Sequence, residues 1–355
     1  MQVYRVKSIL ALALFATVIL TAFPGNAQTL LPLRGVFAIN AVQRGKVNPT
    51  ILNNTNVDGI VLLYNWSDVE PREGTFNWTT VDKQIAQIAA AGKKAEIAIV
   101  GGYETPSWVY ADGAQQFRFV WDLKWGPAPC SVQNIPVPWD SVYLSKWGTM
   151  MAVFGARYNS NPTVAAVKLT GINSKTPEEF LPSSDLEKIH IGSRSCTGYD
   201  DVLDWQLDGY TRSKVETAWN EILLMTSRAF PNKPLAAMLV PGGFPPIDEN
   251  GAIIPDLPVD HQIISDLIDG QTNPPSDQFV LQNDGLSATW IWQAETSVAT
   301  EVATGYQTLD PIGSELQTAV NLAINGGAKF LELYPADISN PKTQSAVADA
   351  HNALD

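Results

Sequence analysis

The sequence predicts an α/β protein folded as a (β/α)8 TIM barrel, on three observations. Short apolar runs alternate with amphipathic ones, eight of the runs have strand character, and helices fit between them. Continuous apolar strands separated by helices require a parallel sheet covered on both faces and joined by right-handed crossovers. Gly35 to Asn40 reads as the first buried strand and Asn48 to Asn53 as a short helix or turn. Val57 to Tyr64 (VDGIVLLY) is a second, unbroken apolar strand. Thr79 to Ala91 places Val81, Ile85, Ile88 and Ala89 at helical spacing, with Gly92 where a C-terminal cap belongs. Lys94 to Val100 is the third strand, Leu144 to Tyr158 a helix, Val164 to Thr170 the fourth strand and Ser213 to Phe230 a long helix. Leu235 to Val240 is the fifth strand, Asp260 to Leu267 a helix and Gln278 to Asn283 the sixth strand. Thr304 to Gln307 is a short seventh, Pro311 to Ile324 a helix and Ala328 to Tyr334 the eighth. An open doubly wound sheet is the competing arrangement, but it usually has a Gly-rich first βα turn, and the loop after Asn40 has none. The long stretches 108–142 and 182–208 then become loops over the C-terminal face, where barrel enzymes keep their sites.

The N-terminus sets the expected compartment. Arg5 and Lys7 precede an apolar run from Ile9 to Thr21, Pro24 closes it, and Gly25 and Ala27 put small residues at a cleavage site. This is a signal peptide over residues 1–27, too short to span a membrane, followed by one barrel domain over 28–355 that is extracellular or periplasmic. Losing the two cations takes the net charge from -13 to -15. An acidic surface without clustered Lys and Arg repels phosphate, which argues against nucleic acid and against membrane adhesion. An oxidising exterior favours joining Cys130 to Cys196, with two separate buried thiols as the alternative. His190, His261 and His351 are scattered, so no metal is expected, and no phosphate-binding or nucleophile-elbow motif points to a cofactor.

Eleven tryptophans stand in the chain, with a concentration between residues 103 and 147 that suits a sugar cleft, because an indole stacks on the C–H face of a pyranose. Pinning of loops to the barrel explains any one of them equally well. Glycoside hydrolysis needs two carboxyl groups, one protonated and one ionised, so candidates are sought beyond the strand ends. Strand two offers Asn65, Trp66, Asp68 and Glu70; strand three Tyr103 and Glu104, with Trp108 beyond; strand four Asn173, Glu178 and Glu179. Strand six ends in Gln282, Asn283 and Asp284, strand seven in Gln307, and strand eight carries Glu332 in FLELY. A lone Glu in an apolar strand needs a partner or a function.

The segment NWSDVEPREGTFNW (Asn65–Trp78), then Asp82 and GGYETPSWV, resembles the strand two and three region of barrel glycoside hydrolases. It is most similar to the β-galactosidase type of the large retaining group, with its W-x-x-x-E-P-x-x-G-x-F-x-W pattern, and the likeness covers roughly the first half of the mature chain. The strand-end polar residues and loop aromatics make Asn65, Trp66, Trp108, Asn173, Gln282, Asn283 and Gln307 the candidates for binding substrate, and the resemblance implies that this is a carbohydrate and that its configuration is retained. It also implies an acid/base after strand four and a Glu nucleophile on strand seven. Two departures matter: Ser174, not Glu, follows Asn173, which moves the acid to Glu178 or Glu179, and Gln307 stands where the nucleophile belongs. The expected pair is therefore Glu178 with Glu332; Asp284 or Glu301 could take the second place, or the barrel binds sugar without cleaving it.

Overall fold

The computed structural model describes residues 30–184, 188–191, 194–197, 200–254, 259–272 and 277–355, so the expected signal peptide lies outside it. Eight parallel strands close into a barrel: β1 (Gly35–Ala38), β2 (Gly59–Asn65), β3 (Lys94–Val100), β4 (Val164–Leu169), β5 (Leu235–Met238), β6 (Phe279–Leu286), β7 (Ala303–Thr308) and β8 (Phe330–Leu333). Pairing of Gly35 with Phe330 and of Phe37 with Gly59 closes the ring at β1. Each strand leads to a helix: α1 (Pro49–Leu52), α2 (Thr79–Ala90), α3 (Ser141–Tyr158), α4 (Arg212–Ala229), α5 (Val259–Thr272), α6 (Gln293–Val298), α7 (Leu316–Asn325) and α8 (Gln344–Leu354). None of the described helices is long and apolar enough to cross a membrane.

Local chemistry sets the element ends. Helix α3 begins at Ser141, ahead of the expected Leu144, because the Asp140 carboxylate accepts from the Tyr143 N–H at 2.9 Å. Gly92 follows α2 at φ +70°, a left-handed position that a residue with a Cβ adopts only under strain. Strand β6 runs to Leu286, three residues past the expected end, and this extension matters for the site.

Alternation along the strands sorts side chains into two cores. Inside the barrel, Phe37, Val61, Ala166, Ala236, Val280 and Phe330 form a small apolar cluster. The larger core lies between strands and helices and takes the alternate residues, such as Ile97, Val167, Leu281, Tyr306 and Leu331. The Phe37 and Phe330 rings meet edge to face at 6.4 Å. Glycine is needed beside both, since a Cβ at Gly59 would fall on the Phe37 ring and one at Gly305 on the Phe330 ring. The same parity turns Glu96, Lys168, Gln282, Gln307 and Glu332 inward, above this apolar floor.

The long β3 and β4 loops carry two antiparallel hairpins, Gln116–Val120 with Val132–Pro136 and Lys188–Ile191 with Arg194–Thr197. A Cys130–Cys196 disulfide joins them, Cα to Cα 5.7 Å, as the oxidising-exterior expectation requires.

Candidate active site

The β2 and β3 loops use the residues of the resemblance motif on themselves. Trp66 is fully buried, its ring edge to face with Trp147 at 5.1 Å and with Trp108 at 5.9 Å. Its Nε1 donates to Glu70 Oε2 at 2.8 Å, the Gly74 N–H donates to Glu70 Oε1 at 2.8 Å, and Trp108 Nε1 donates to the Glu70 carbonyl at 3.0 Å. Glu70 is thus a clip that closes the loop, and burial raises its pKa despite the donors. Trp108 is half-buried, with the Lys146 ammonium 5.6 Å from its ring centroid. The expectation of a sugar platform at Trp66 is corrected: the indole has no face left for a ligand. Asn65 donates to Asp68 Oδ2 at 3.3 Å and, with Asp68, Asn77 and Thr80, lines a cavity of about 340 Å³ at the end of β2.

After β4 the chain folds back along β5. The Glu179 N–H donates to the Met238 carbonyl at 2.9 Å and the Leu181 N–H to the Gly243 carbonyl at 2.8 Å, which extends parallel pairing past the strand. Asn173 is buried in the bend, its Nδ2 donating to the Thr176 carbonyl at 3.0 Å and its Oδ1 accepting from the Gly171 N–H at 3.2 Å. It holds the loop and does not open to the mouth. The two glutamates part company. Glu179 is fully buried beside Ile172 and Tyr143, where desolvation pushes its carboxyl up to about 8. Glu178 is half-buried, and its charge acts on Asp284 and Tyr334, placing it at the barrel mouth.

Asp284 owes its position to a β-bulge. Asn283 pairs with Tyr306 and Leu286 with Thr308, so β6 carries one extra residue against β7 between these pairs. Asn283, expected to bind substrate, faces outward and clasps the bulge: its Oδ1 accepts from the Gly285 N–H at 2.9 Å, and its Nδ2 donates to the Leu239 carbonyl at 3.1 Å. Asp284 is aimed inward with 6% of its surface exposed. Burial, then the Glu178 charge, hold its carboxyl well above the usual carboxylate range. Tyr334, at the end of β8, completes the rim; its hydroxyl donates to the Leu309 carbonyl at 2.8 Å, and burial and the nearby acids push it up to about 12.

Glu332 lies a layer deeper than expected. It has no exposed surface and pairs with the Lys168 ammonium at 2.5 Å, with Glu96 3.5 Å from the same nitrogen. Burial alone would lower the Lys168 pKa, but Glu332, Glu96 and Asp284 more than reverse it, and the ammonium stays charged. Glu96, desolvated beside Glu332, is pushed strongly toward its neutral form. Lys168 also donates to Gln282 Oε1 at 2.8 Å, and Gln282 Nε2 donates to Asp284 Oδ1 at 2.8 Å. Gln282 therefore works beneath the mouth, as the link between a buried cation and the Asp284 carboxyl. Gln307 is 5% exposed, with an Oε1 that accepts from no group among the described residues. Lys168 and Glu96 were missed from sequence although each is a charge in an apolar strand, the same signal that singled out Glu332. Among the described residues no group of three or more His, Cys, Asp or Glu stands ready to hold a metal ion.

No family model matches the sequence, and no curated protein sequence matches it. Solved structures do resemble the fold. The catalytic domain of a β-amylase from Paenibacillus polymyxa superposes with a TM-score of 0.59 at 13% identity, over 89% of this chain and 97% of that one. β-Galactosidases from Marinomonas ef1 and from Rahnella sp. R3 each give 0.50, at 10% and 12% identity, over 89% and 92% of this chain. The chain spans 59% and 57% of these two proteins. The barrel expected from the strand pattern, and the likeness to barrel glycoside hydrolases of the β-galactosidase type, are borne out at the level of fold.

Proposed function

We propose that the chain is an exported glycoside hydrolase that cleaves O-glycosidic bonds of an oligo- or polysaccharide, with Asp284 as proton donor and Glu178 as the opposing carboxylate. One observation carries this reading. Two carboxyl groups flank the end of β5, on the β4 loop and on β6, and the charge of one helps keep the other protonated. Glycoside hydrolysis asks for such an unequal pair, an acid to protonate the leaving oxygen and a carboxylate to support attack at the anomeric carbon. The Lys168–Gln282 link holds the Asp284 side chain in place. Gln307 cannot attack carbon, but its buried amide suits a sugar hydroxyl or the attacking water. Glu332 balances Lys168 and leaves the catalytic role that its strand position suggested. The disulfide supports the exported compartment, with residues 28–355 as the mature domain.

The test incubates the purified protein with a panel of aryl glycosides and polysaccharides, beside Asp284→Asn, Glu178→Gln and Glu332→Gln. Turnover lost in the first two variants supports the assignment. Turnover untouched by both overturns the residues, and binding without turnover in the unmutated protein makes this a silent carbohydrate-binding barrel. Proton NMR of the first-formed anomer assigns Glu178 as base on inversion or as nucleophile on retention.

A further inference from the structure

Below the mouth lies a cluster of charge that the proposed chemistry does not use directly. Glu96 on β3, Lys168 on β4 and Glu332 on β8 all point into the barrel above the apolar floor, and all three are buried. Small inner residues leave room for them: Ala166 stands opposite Glu96, and Ala236 opposite Lys168. An ammonium has three hydrogens, and three side chains surround this one, Glu332 at 2.5 Å, Gln282 at 2.8 Å and Glu96 at 3.5 Å. Asp284 is one amide removed, because it accepts from Gln282 Nε2, on the far side of the amide whose Oε1 faces Lys168. Among the described residues no hydrogen-bond donor serves either oxygen of Glu96 or Oε2 of Glu332, and Lys168 is the cation against which both carboxyls lie. Three carboxyl groups thus compete for one buried positive charge. In so dry a setting one cation stabilises one carboxylate, and each further carboxyl is driven to keep its proton.

We infer that Glu96 and Glu332 are interchangeable counter-ions: together they hold the single negative charge that Lys168 requires, so that Asp284 keeps its proton for the leaving oxygen. The inference rests on the proposed function for the role of Asp284, and it adds Glu96 and Glu332 as positioning residues that act through Lys168 and touch no substrate. Burial pushes the Glu96 carboxyl strongly toward its neutral form against the pull of Lys168, which leaves Glu332, at the shorter distance, as the resting counter-ion. Around Asp284, among the described residues, every other titratable group is an acid: Glu178 from the β4 loop, Glu332 and Tyr334 from β8 and its end, and Glu295 from α6. Lys168 is the one neighbour that draws the Asp284 carboxyl toward ionisation. A carboxylate already seated on Lys168 weakens that draw.

The test follows the alkaline limb of kcat/KM, which reports loss of the acid's proton, on the aryl glycoside that the protein turns over fastest. Glu96→Gln and Glu332→Gln are each expected to move that limb by less than about half a pH unit, because the remaining glutamate takes the charge. The double variant leaves Lys168 without either glutamate, and its limb should fall by about one pH unit or more, about a tenfold loss of turnover on the alkaline side that acidic buffer recovers. Adding Lys168→Met to the double variant should bring the limb back. A full shift in either single variant, or none in the double, overturns the sharing and leaves the hydrolase reading standing. Infrared spectra with isotopically labelled glutamate, which separates its carboxyls from those of aspartate, need neither turnover nor the double variant. At neutral pH the band of protonated glutamic carboxyls should shrink by one group in Glu96→Gln and by one group in Glu332→Gln, where Glu96 becomes the anion. A band unchanged in Glu332→Gln overturns the sharing, whether or not the double variant folds. The same loss in both variants of a protein that turns over no glycoside keeps the shared charge and overturns the hydrolase reading.

Discussion

The two halves of the barrel mouth spend similar residues differently. Over β2 to β4, the motif residues are turned inward on their own loops: Trp66 and Glu70 hold each other, Trp108 caps the pair, and Asn173 ties its bend. Over β6 to β8, a bulge, a glycine and a short turn leave Asp284 at the mouth and Trp290 open to solvent. The first half is rich in recognisable motif and leaves Glu178, on the β4 loop, half-buried at the mouth; the second has no recognisable motif and holds Asp284. A motif can persist because it builds a loop.

Four substitutions would break or sharpen this contrast. Asp284→Asn is expected to reduce kcat about 10³-fold, the scale of a lost general acid, with an unchanged melting temperature. Loss of stability in place of activity would make Asp284 a structural group like Glu70. Lys168→Met leaves Glu332 and Glu96 buried without their cation, and chemical denaturation should show a loss of about 3–5 kcal/mol. In the other half, Glu70→Ala strands the Trp66 and Gly74 donors and should cost about 1–3 kcal/mol of stability, with the kcat of the folded protein kept. A collapse of kcat there would return the chemistry to the β2 loop.

The smallest effect sits at the boundary between the halves. Glu179 has its carboxyl pushed up from 4.5 to about 8, so the folded chain keeps a proton that the unfolded chain releases. Its contribution to stability is full below about pH 4.5 and is lost as pH rises through about 8, with a slope of up to about 1.4 kcal/mol per pH unit. Denaturation of Glu179→Gln across that window should lack this slope. An unchanged slope would mean that Glu179 is not the buried partner of the pair.

The barrel was legible in the sequence because its signal is local. Val57 to Tyr64, Lys94 to Val100 and Ala328 to Tyr334 each carry enough continuous apolar character to mark a buried parallel strand, and Gly92 marked a helix end. The proposed site is less legible. Glu178 and Asp284 are two of several acids beyond the strand ends, whereas Glu332 stands out because a lone charge in an apolar strand needs a partner. That partner, Lys168, lies 164 residues earlier in the chain. Trp66 was read as a platform because its motif is shared with sugar-cleaving barrels, and a motif does not say which way an indole faces.

By itself the sequence determined the strand and helix order, the parity that turns Glu96, Lys168, Gln282, Gln307 and Glu332 inward, and the number of acids available. Only the tertiary structure decided how deep each acid lies and what it pairs with. The bulge at Asp284 exists through pairing with β7, Glu178 faces the mouth because its neighbour pairs with β5, and Glu332 is neutralised across the barrel. Local periodicity fixes the side of a strand on which a residue lies; depth, partner and exposure arise from contacts between segments far apart in the chain.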